Sequence, residues 1–311
     1  MITNLFFKLI SNITNRVLET FDIKIIFRIG NSKGDQLCMT FAARYIKNSK
    51  NTKIIVVSSN PIFFLNNKNI WKNYSAKFNP ILINRLLRKI SGKRILHFFF
   101  TSELDSYESY MKKNKLHLIE AHSLHFLPID RNLIKNEIFF SKEELRIFQL
   151  KFLGFKNFAL IQPNAKSTYT ANKQWALSNF QAVVDNIKEI NWIQVGIRND
   201  NLLKNVTDFR GKTDDRELFY LVKKSRFVFS NEGYLNHIAS AFDKTSFVIQ
   251  SGFSDKSIAT YQNTFFFTSE KCPKAPCWIL NDCNIPNKPC LSGINPHTVV
   301  KTIKNEIHIH N

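Results

Sequence analysis

The stretch Ile25-Ile26-Phe27-Arg28-Ile29-Gly30-Asn31-Ser32-Lys33-Gly34-Asp35-Gln36-Leu37 decides how the chain is read. A short, mostly apolar run closed by glycine is the pattern of a buried strand. Beyond the glycines, Leu37, Phe41 and Tyr45 recur every four residues, which predicts a helix beginning near Asp35. Strand, glycine turn and helix in that order make the opening of an α/β unit around a parallel sheet. Working outward, 54–57 and 95–100 read as further strands and 117–126 as a helix.

The pattern restarts after a charged stretch at 141–151. Residues 158–161 form a strand that runs into Gln162-Pro163-Asn164-Ala165, and Ser178 offers an N-cap to the helix that follows. Strands are expected at 192–195, 226–230 and 246–250, with helices from about Asp214 and over 234–242. Asn295-Pro296 supplies a cap and first residue for a last helix to about 307. No internal repeat or low-complexity linker interrupts this order. Two Rossmann-like halves fit better than one long sheet, with domains at 1–152 and 153–311.

The chain has 311 residues, 44% of them hydrophobic, which excludes a disordered protein. No apolar run reaches the roughly 18 residues of a spanning helix, which excludes a polytopic membrane protein. Lys and Arg total 44 against 24 Asp and Glu, a net charge of +20. Nucleic acid, an anionic membrane and phosphate-bearing ligands all attract such a protein. An abundance of Lys, Asn, Ile and Phe, with 29 Phe, also matches the codon bias of an AT-rich genome. The first residues lack a secretory signal, and 5 cysteines do not make a secreted disulfide framework, so a cytoplasmic protein is expected. The segment 5–10, with Lys8 and Arg16 nearby, reads either as an amphipathic helix on a membrane or as one packed on its own domain.

Four places carry potential chemistry. Asp35, where a helix begins at a strand's carboxyl end, reads either as a helix cap or as a carboxylate base facing the crevice of an open sheet. The loop from Gln162 to Trp175 offers hydroxyls and lysines to a phosphate, or is an ordinary surface loop. In Ser230-Asn231-Glu232-Gly233-Tyr234-Leu235-Asn236-His237, Glu232 can accept from ribose hydroxyls and the helix start can face an anion. A lone histidine on a helix, as His237 is, is also a common structural residue. Cys272, Cys277, Cys283 and Cys290 are spaced more loosely than zinc-ribbon pairs, and read as a structural zinc or iron site or as metal-free thiols. Cys38 reads as a small buried residue.

Together these motifs resemble the family 9 glycosyltransferases, the ADP-heptose:lipopolysaccharide heptosyltransferase group, over about 24–300. The resemblance rests on the Gly30-to-Leu37 opening, the Lys173-x-Trp175 loop and the Gly211-Lys212-Thr213 turn. It continues through Glu217-Leu218, Ser230-Asn-Glu-Gly, His237-Ile-Ala-Ser-Ala241 and the late cysteines, which are similar to those of one branch. It implies a GT-B fold: two Rossmann-like domains facing across a cleft, acceptor on the first and nucleotide-sugar on the second. The last helix, 296–307, is expected to pack back toward the first domain. It further implies inverting transfer with no catalytic metal. Asp35 would be the general base, with Lys33 and Gly34 on the acceptor side. Ser167, Thr168, Thr170, Lys173, Gly196, Glu232, Gly233 and His237 would bind the donor, an ADP-heptose-type nucleotide-sugar. The acceptor would be a bacterial surface glycan (lipopolysaccharide, lipooligosaccharide core or capsule) at the inner membrane face, or alternatively a protein such as an adhesin. The family places Asp five residues before the histidine and Gly three before it. Here Glu232 and Tyr234 stand in those places, which bears on the sugar more than on the reaction type. A basic nucleic-acid-binding module is the remaining class, but no recognition helix or interleaved aromatic–basic sheet is visible.

Overall fold

The computed structural model describes residues 2–28, 30, 32–50, 52–76, 94–97, 115–123, 129–166, 169–280 and 283–309. The chain divides into two compact units, the first ending at Ser141 and the second running from Lys142.

In the first unit, helix α1 (Ile2–Thr20) precedes β1 (Ile23–Arg28), α2 (Lys33–Lys50), β2 (Lys53–Ser58), β3 (Lys72–Ser75), β4 (Ile95–His97) and α3 (Leu118–Ser123). The strands pair in parallel in the order β3-β2-β1-β4. Chain order reverses between β1 and β4, so the β1 carboxyl end, where Gly30 lies, is the switch point at which open α/β sheets bind ligands. Leu37, Phe41 and Cys38 of α2 are fully buried, as their spacing predicts.

The second unit holds α4 (Lys142–Lys151), β5 (Phe158–Gln162), α5 (Leu177–Asn186), β6 (Asn191–Gln194), β7 (Thr207–Asp208), α6 (Asp215–Lys224), β8 (Phe227–Asn231), α7 (Tyr234–Ser240), β9 (Thr245–Ile249), β10 (Thr264–Phe267), α8 (Pro289–Ser292) and α9 (Pro296–Ile309). Its parallel sheet runs β10-β9-β8-β5-β6-β7, the doubly wound order with its switch between β5 and β8. The charged stretch around 141–151 is the amphipathic helix α4. Phe148 packs on Tyr220, Phe152 on Tyr220 and Phe209, and Arg216 donates to Glu144 at 2.8 Å. Those contacts tie α4 to α6 and set the division between the units before it. Asp214 and Glu217 form a reciprocal capping box at the start of α6. Asn295 caps α9, accepting from the His297 amide at 2.9 Å, and α9 buries Val299, Ile303 and Ile307 in the second unit's core beside α5.

Ser178 is not the cap of α5. The helix begins at Leu177, with Ala176 in the cap position and no side-chain cap bond. Leu177 packs against the core and Trp175 is anchored just before it, so tertiary contacts, not a hydroxyl, set where the helix starts.

Candidate active site

At the switch point of the second unit, two loops leave β5 and β8 side by side. Asn231, 4% exposed at the end of β8, donates to the Pro163 carbonyl at 2.6 Å and accepts from the Trp175 amide at 3.2 Å. Gln174 accepts from the Ala165 amide and donates to the Pro163 carbonyl, both at 2.7 Å. These two amide side chains close the 163–175 loop on itself and fasten it to the neighbouring strand. Trp175 is fully buried with its ring edge-on to Phe180 and Phe229, which makes the loop's far end part of the core.

The fastened loop presents Lys173. Its ammonium forms an ion pair with Glu232, their side chains 16% and 8% exposed. The same ammonium stands 5.0 Å from the Phe253 ring centre and 5.5 Å from that of Tyr169. Glu232 is held from behind by its own amide, which donates to the Ile249 carbonyl at 3.0 Å. An ammonium has three N–H donors, so Lys173 can keep Glu232 and still meet an anion. Thr170 is buried and its hydroxyl oxygen accepts from the Asn172 amide at 3.0 Å, capping the turn Ala171–Lys173. Gly233 precedes α7 in extended backbone, and His237, 4% exposed, joins its Nδ1 to the Tyr261 hydroxyl at 2.6 Å. Tyr234 donates to Asp215 at 3.2 Å, and burial, reinforced by that carboxylate, pushes its phenol well above the ordinary range.

Gly196 follows β6 at φ 146°, a conformation side chains avoid, and a Cβ there would run into the Asp200 carboxylate. Its carbonyl accepts from the Gly211 amide at 2.8 Å, so Gly196 builds the turn that carries Gly211-Lys212-Thr213. Ser167 and Thr168 lie outside the described residues.

In the first unit, Asp35 is the third residue of α2 and not its cap. Its carboxylate pairs with Arg28 at the end of β1, side chains 14% and 5% exposed. Gly30, at φ 145°, donates its amide to Ser59 Oγ at 3.0 Å. Gln36, fully buried, donates to the Gly30 carbonyl at 2.8 Å and accepts from the Asn60 amide at 3.1 Å. The loops after β1 and β2 are thereby locked around Asp35, while Lys33 is exposed and Gly34 buried in the same first turn.

All four late cysteines are free thiols. Burial pushes the Cys290 thiol up, and Cys272, Cys277 and Cys283 push the same way against a backbone hydrogen bond at Gly252. Among the described residues no group of three or more His, Cys, Asp or Glu side chains is placed to hold a metal ion. What the cysteine loop does is buttress Lys173. The Cys277 and Trp278 amides donate to the Gly252 and Phe253 carbonyls at 2.9 and 2.8 Å, and Asn172 donates to the Ile279 carbonyl at 2.6 Å.

No protein-family profile matches the sequence, and no curated protein matches it. Solved structures do match in fold. A glycosyl transferase family 9 protein from Veillonella parvula aligns with TM-score 0.64 and 16% identity, over 92% of this chain and 97% of its own. ADP-heptose lipopolysaccharide heptosyltransferase II from E. coli aligns with TM-score 0.59 and 14% identity, over 91% and 98%. The iron-containing dodecameric glycosyltransferase TibC from enterotoxigenic E. coli aligns with TM-score 0.67 and 14% identity, over 93% and 77%. The chain thus has the two-unit α/β fold of the family 9 glycosyltransferases, as its motifs imply.

Proposed function

We propose that this protein is an inverting glycosyltransferase that moves a sugar, heptose from an ADP-heptose-type donor, onto a bacterial surface glycan. The observation that carries the reading is Lys173. It is a cation fixed by Asn231, Gln174 and Trp175 at the second unit's switch point, beside Glu232, in the fold shared by an ADP-heptose heptosyltransferase. In the reaction the acceptor oxygen bonds to the anomeric carbon and the bond to the diphosphate breaks, the leaving group keeping the electron pair. The acceptor's proton passes to the Asp35 carboxylate, which Arg28 orients. Charge grows on the diphosphate as it leaves, and a lysine already fixed in place stabilises that charge without reorganising. Thr170, Gly233 and His237 line the same loops, and Glu232 takes the ribose or sugar hydroxyls. Ser167, Thr168 and Gly196 complete the donor set, with Lys33 and Gly34 on the acceptor side.

A thermal-shift panel of nucleotide-sugars tests this. A donor that binds the folded chain at 100 times its Kd raises stability by about 2.7 kcal/mol. ADP-heptose should give the largest shift, and a panel flat across ADP-, UDP-, GDP- and CMP-sugars refutes the reading. A protein acceptor is the second reading, kept open by the cysteine loop. A structural zinc or iron at Cys272, Cys277, Cys283 and Cys290 would supply rigidity only, and the thiols as they stand do not form a group that holds an ion. Elemental analysis of protein purified without added metal decides that part, and a content near zero per chain removes it. The remaining basic charge suits a protein working at the cytoplasmic face of an anionic membrane, on a glycan or glycolipid and not on nucleic acid.

A further inference from the structure

Helix α1 carries an apolar stripe that the fold does not use. Leu9, Ile13, Val17 and Phe21, four residues apart, are 58%, 55%, 51% and 62% exposed. The opposite face does the packing, with Leu18 buried against Phe27 and Ile95. From Leu9 to Phe21 this spacing makes a continuous apolar ridge about 18 Å long. No described helix is long and apolar enough to cross a membrane, so a ridge of this kind serves a surface.

The ridge ends at a second exposed feature. Lys53 donates its amide to the Asp22 carbonyl at 3.0 Å and Trp71 to the Ile54 carbonyl at 2.8 Å, so Phe21, Lys53 and Trp71 follow one another along the amino edge of the first sheet. Trp71 is 48% exposed, with the Lys53 and Lys72 ammoniums 5.2 and 4.8 Å from its ring centre. An exposed indole between two lysines, beside an apolar ridge flanked by exposed Arg16, is suited to the headgroup region of a bilayer. Of the acidic groups here, Asp22 is already paired with Arg94 at 2.8 Å, leaving Glu19 as the opposing charge that this pairing does not satisfy. The net charge of +20 favours the same partner.

We infer that α1 and the Phe21–Lys53–Trp71–Lys72 edge form a docking surface for an anionic lipid bilayer. The inference deepens the membrane part of the proposed function. Its test uses no sugar donor, so either can fail without the other.

The experiment is co-sedimentation of the full chain with phosphatidylglycerol/phosphatidylethanolamine vesicles and with phosphatidylcholine vesicles. Wild type should pellet with the anionic vesicles and bind the zwitterionic ones at least tenfold more weakly. Leu9→Asn/Ile13→Asn/Val17→Asn should lose about tenfold or more of that binding, and Lys53→Glu/Lys72→Glu roughly fivefold for each positive charge removed. All five positions are exposed, and the lysine pair reads the surface even if the helix variant folds poorly. Wild type remaining in the supernatant with both vesicles overturns the inference, as does a lysine variant that binds like wild type. A triple variant that binds vesicles unchanged but turns a dimer into a monomer also overturns it, and assigns the ridge to a second copy of this chain.

Discussion

Replacing Lys173 by Met and Glu232 by Gln, singly and together, probes the pair on which donor binding depends. At 16% and 8% exposure the two charges are mostly out of water. Removing one member of a buried pair strands the other and costs about 3–5 kcal/mol in well-enclosed cases. The partial exposure of Lys173 and its aromatic neighbours change the two halves unequally. Without Lys173, the Glu232 carboxylate loses its counter-charge, so Lys173→Met should cost about 3 kcal/mol. Without Glu232, the ammonium still lies on the faces of Tyr169 and Phe253, and Glu232→Gln should cost only about 1 kcal/mol. The double variant should therefore be less destabilised than the sum of the singles, with a coupling near 2 kcal/mol. Urea unfolding at neutral pH measures all four proteins, and nucleotide-sugar titration of the same samples measures the donor. Lys173→Met should weaken donor affinity at least tenfold. Singles that add within about 0.5 kcal/mol refute the pairing, and donor affinity unchanged in Lys173→Met refutes the lysine's role.

Two other perturbations follow from the same geometry. Asn231→Ala leaves the buried Trp175 amide without its partner, at about 1–3 kcal/mol, and leaves the Pro163 carbonyl with Gln174 alone. It should lower Tm and weaken donor binding together; a variant that changes neither shows that the clip holds nothing. The Tyr234 phenol is held above its ordinary range, so the fold prefers it protonated. Its stabilisation is whole below about pH 10, the phenol's unfolded value, and is lost as pH rises from there toward the folded value. Tyr234→Phe should therefore flatten the alkaline decline of stability above about pH 10, measured by unfolding at stepped pH; an identical decline in both proteins contradicts the assignment.

Much of the sheet architecture is legible in the sequence because buried parallel strands leave dense β-branched and aromatic runs between glycines. Three strands escape: β10, Thr264-Phe265-Phe266-Phe267, is a four-residue edge strand despite its aromatic run, and β3 and β7 lack that signature. β3 is a polar edge strand, Lys72-Asn73-Tyr74-Ser75, with an exposed face, and β7 is two residues long. α4 hides because its charged face dominates its composition, although Phe148 and Phe152 bind it to α6. Lys173, Glu232 and Asp35 stand out as charged residues at strand ends. Asn231, Gln174 and Gln36, which fix the loops carrying them, do not stand out. A side-chain amide bonding to backbone across a loop has no period, and its partners are separated by as many as 68 residues. The neighbourhood of Ser230-Asn231-Glu232-Gly233 at a strand end was the one available hint.

The central claim is transfer from a nucleotide-sugar with Asp35 as the base. The direct measurement is mass spectrometry of a heptose-free lipopolysaccharide core incubated with ADP-heptose and either the wild-type chain or Asp35→Asn. Wild type should add one heptose and release ADP. Asp35→Asn should bind donor normally and turn over about 100- to 10,000-fold more slowly, the range general-base catalysis supplies. An Asp35→Asn protein that matches wild type contradicts the mechanism, and a wild-type chain that binds ADP-heptose but leaves every glycan and protein acceptor unmodified contradicts the function.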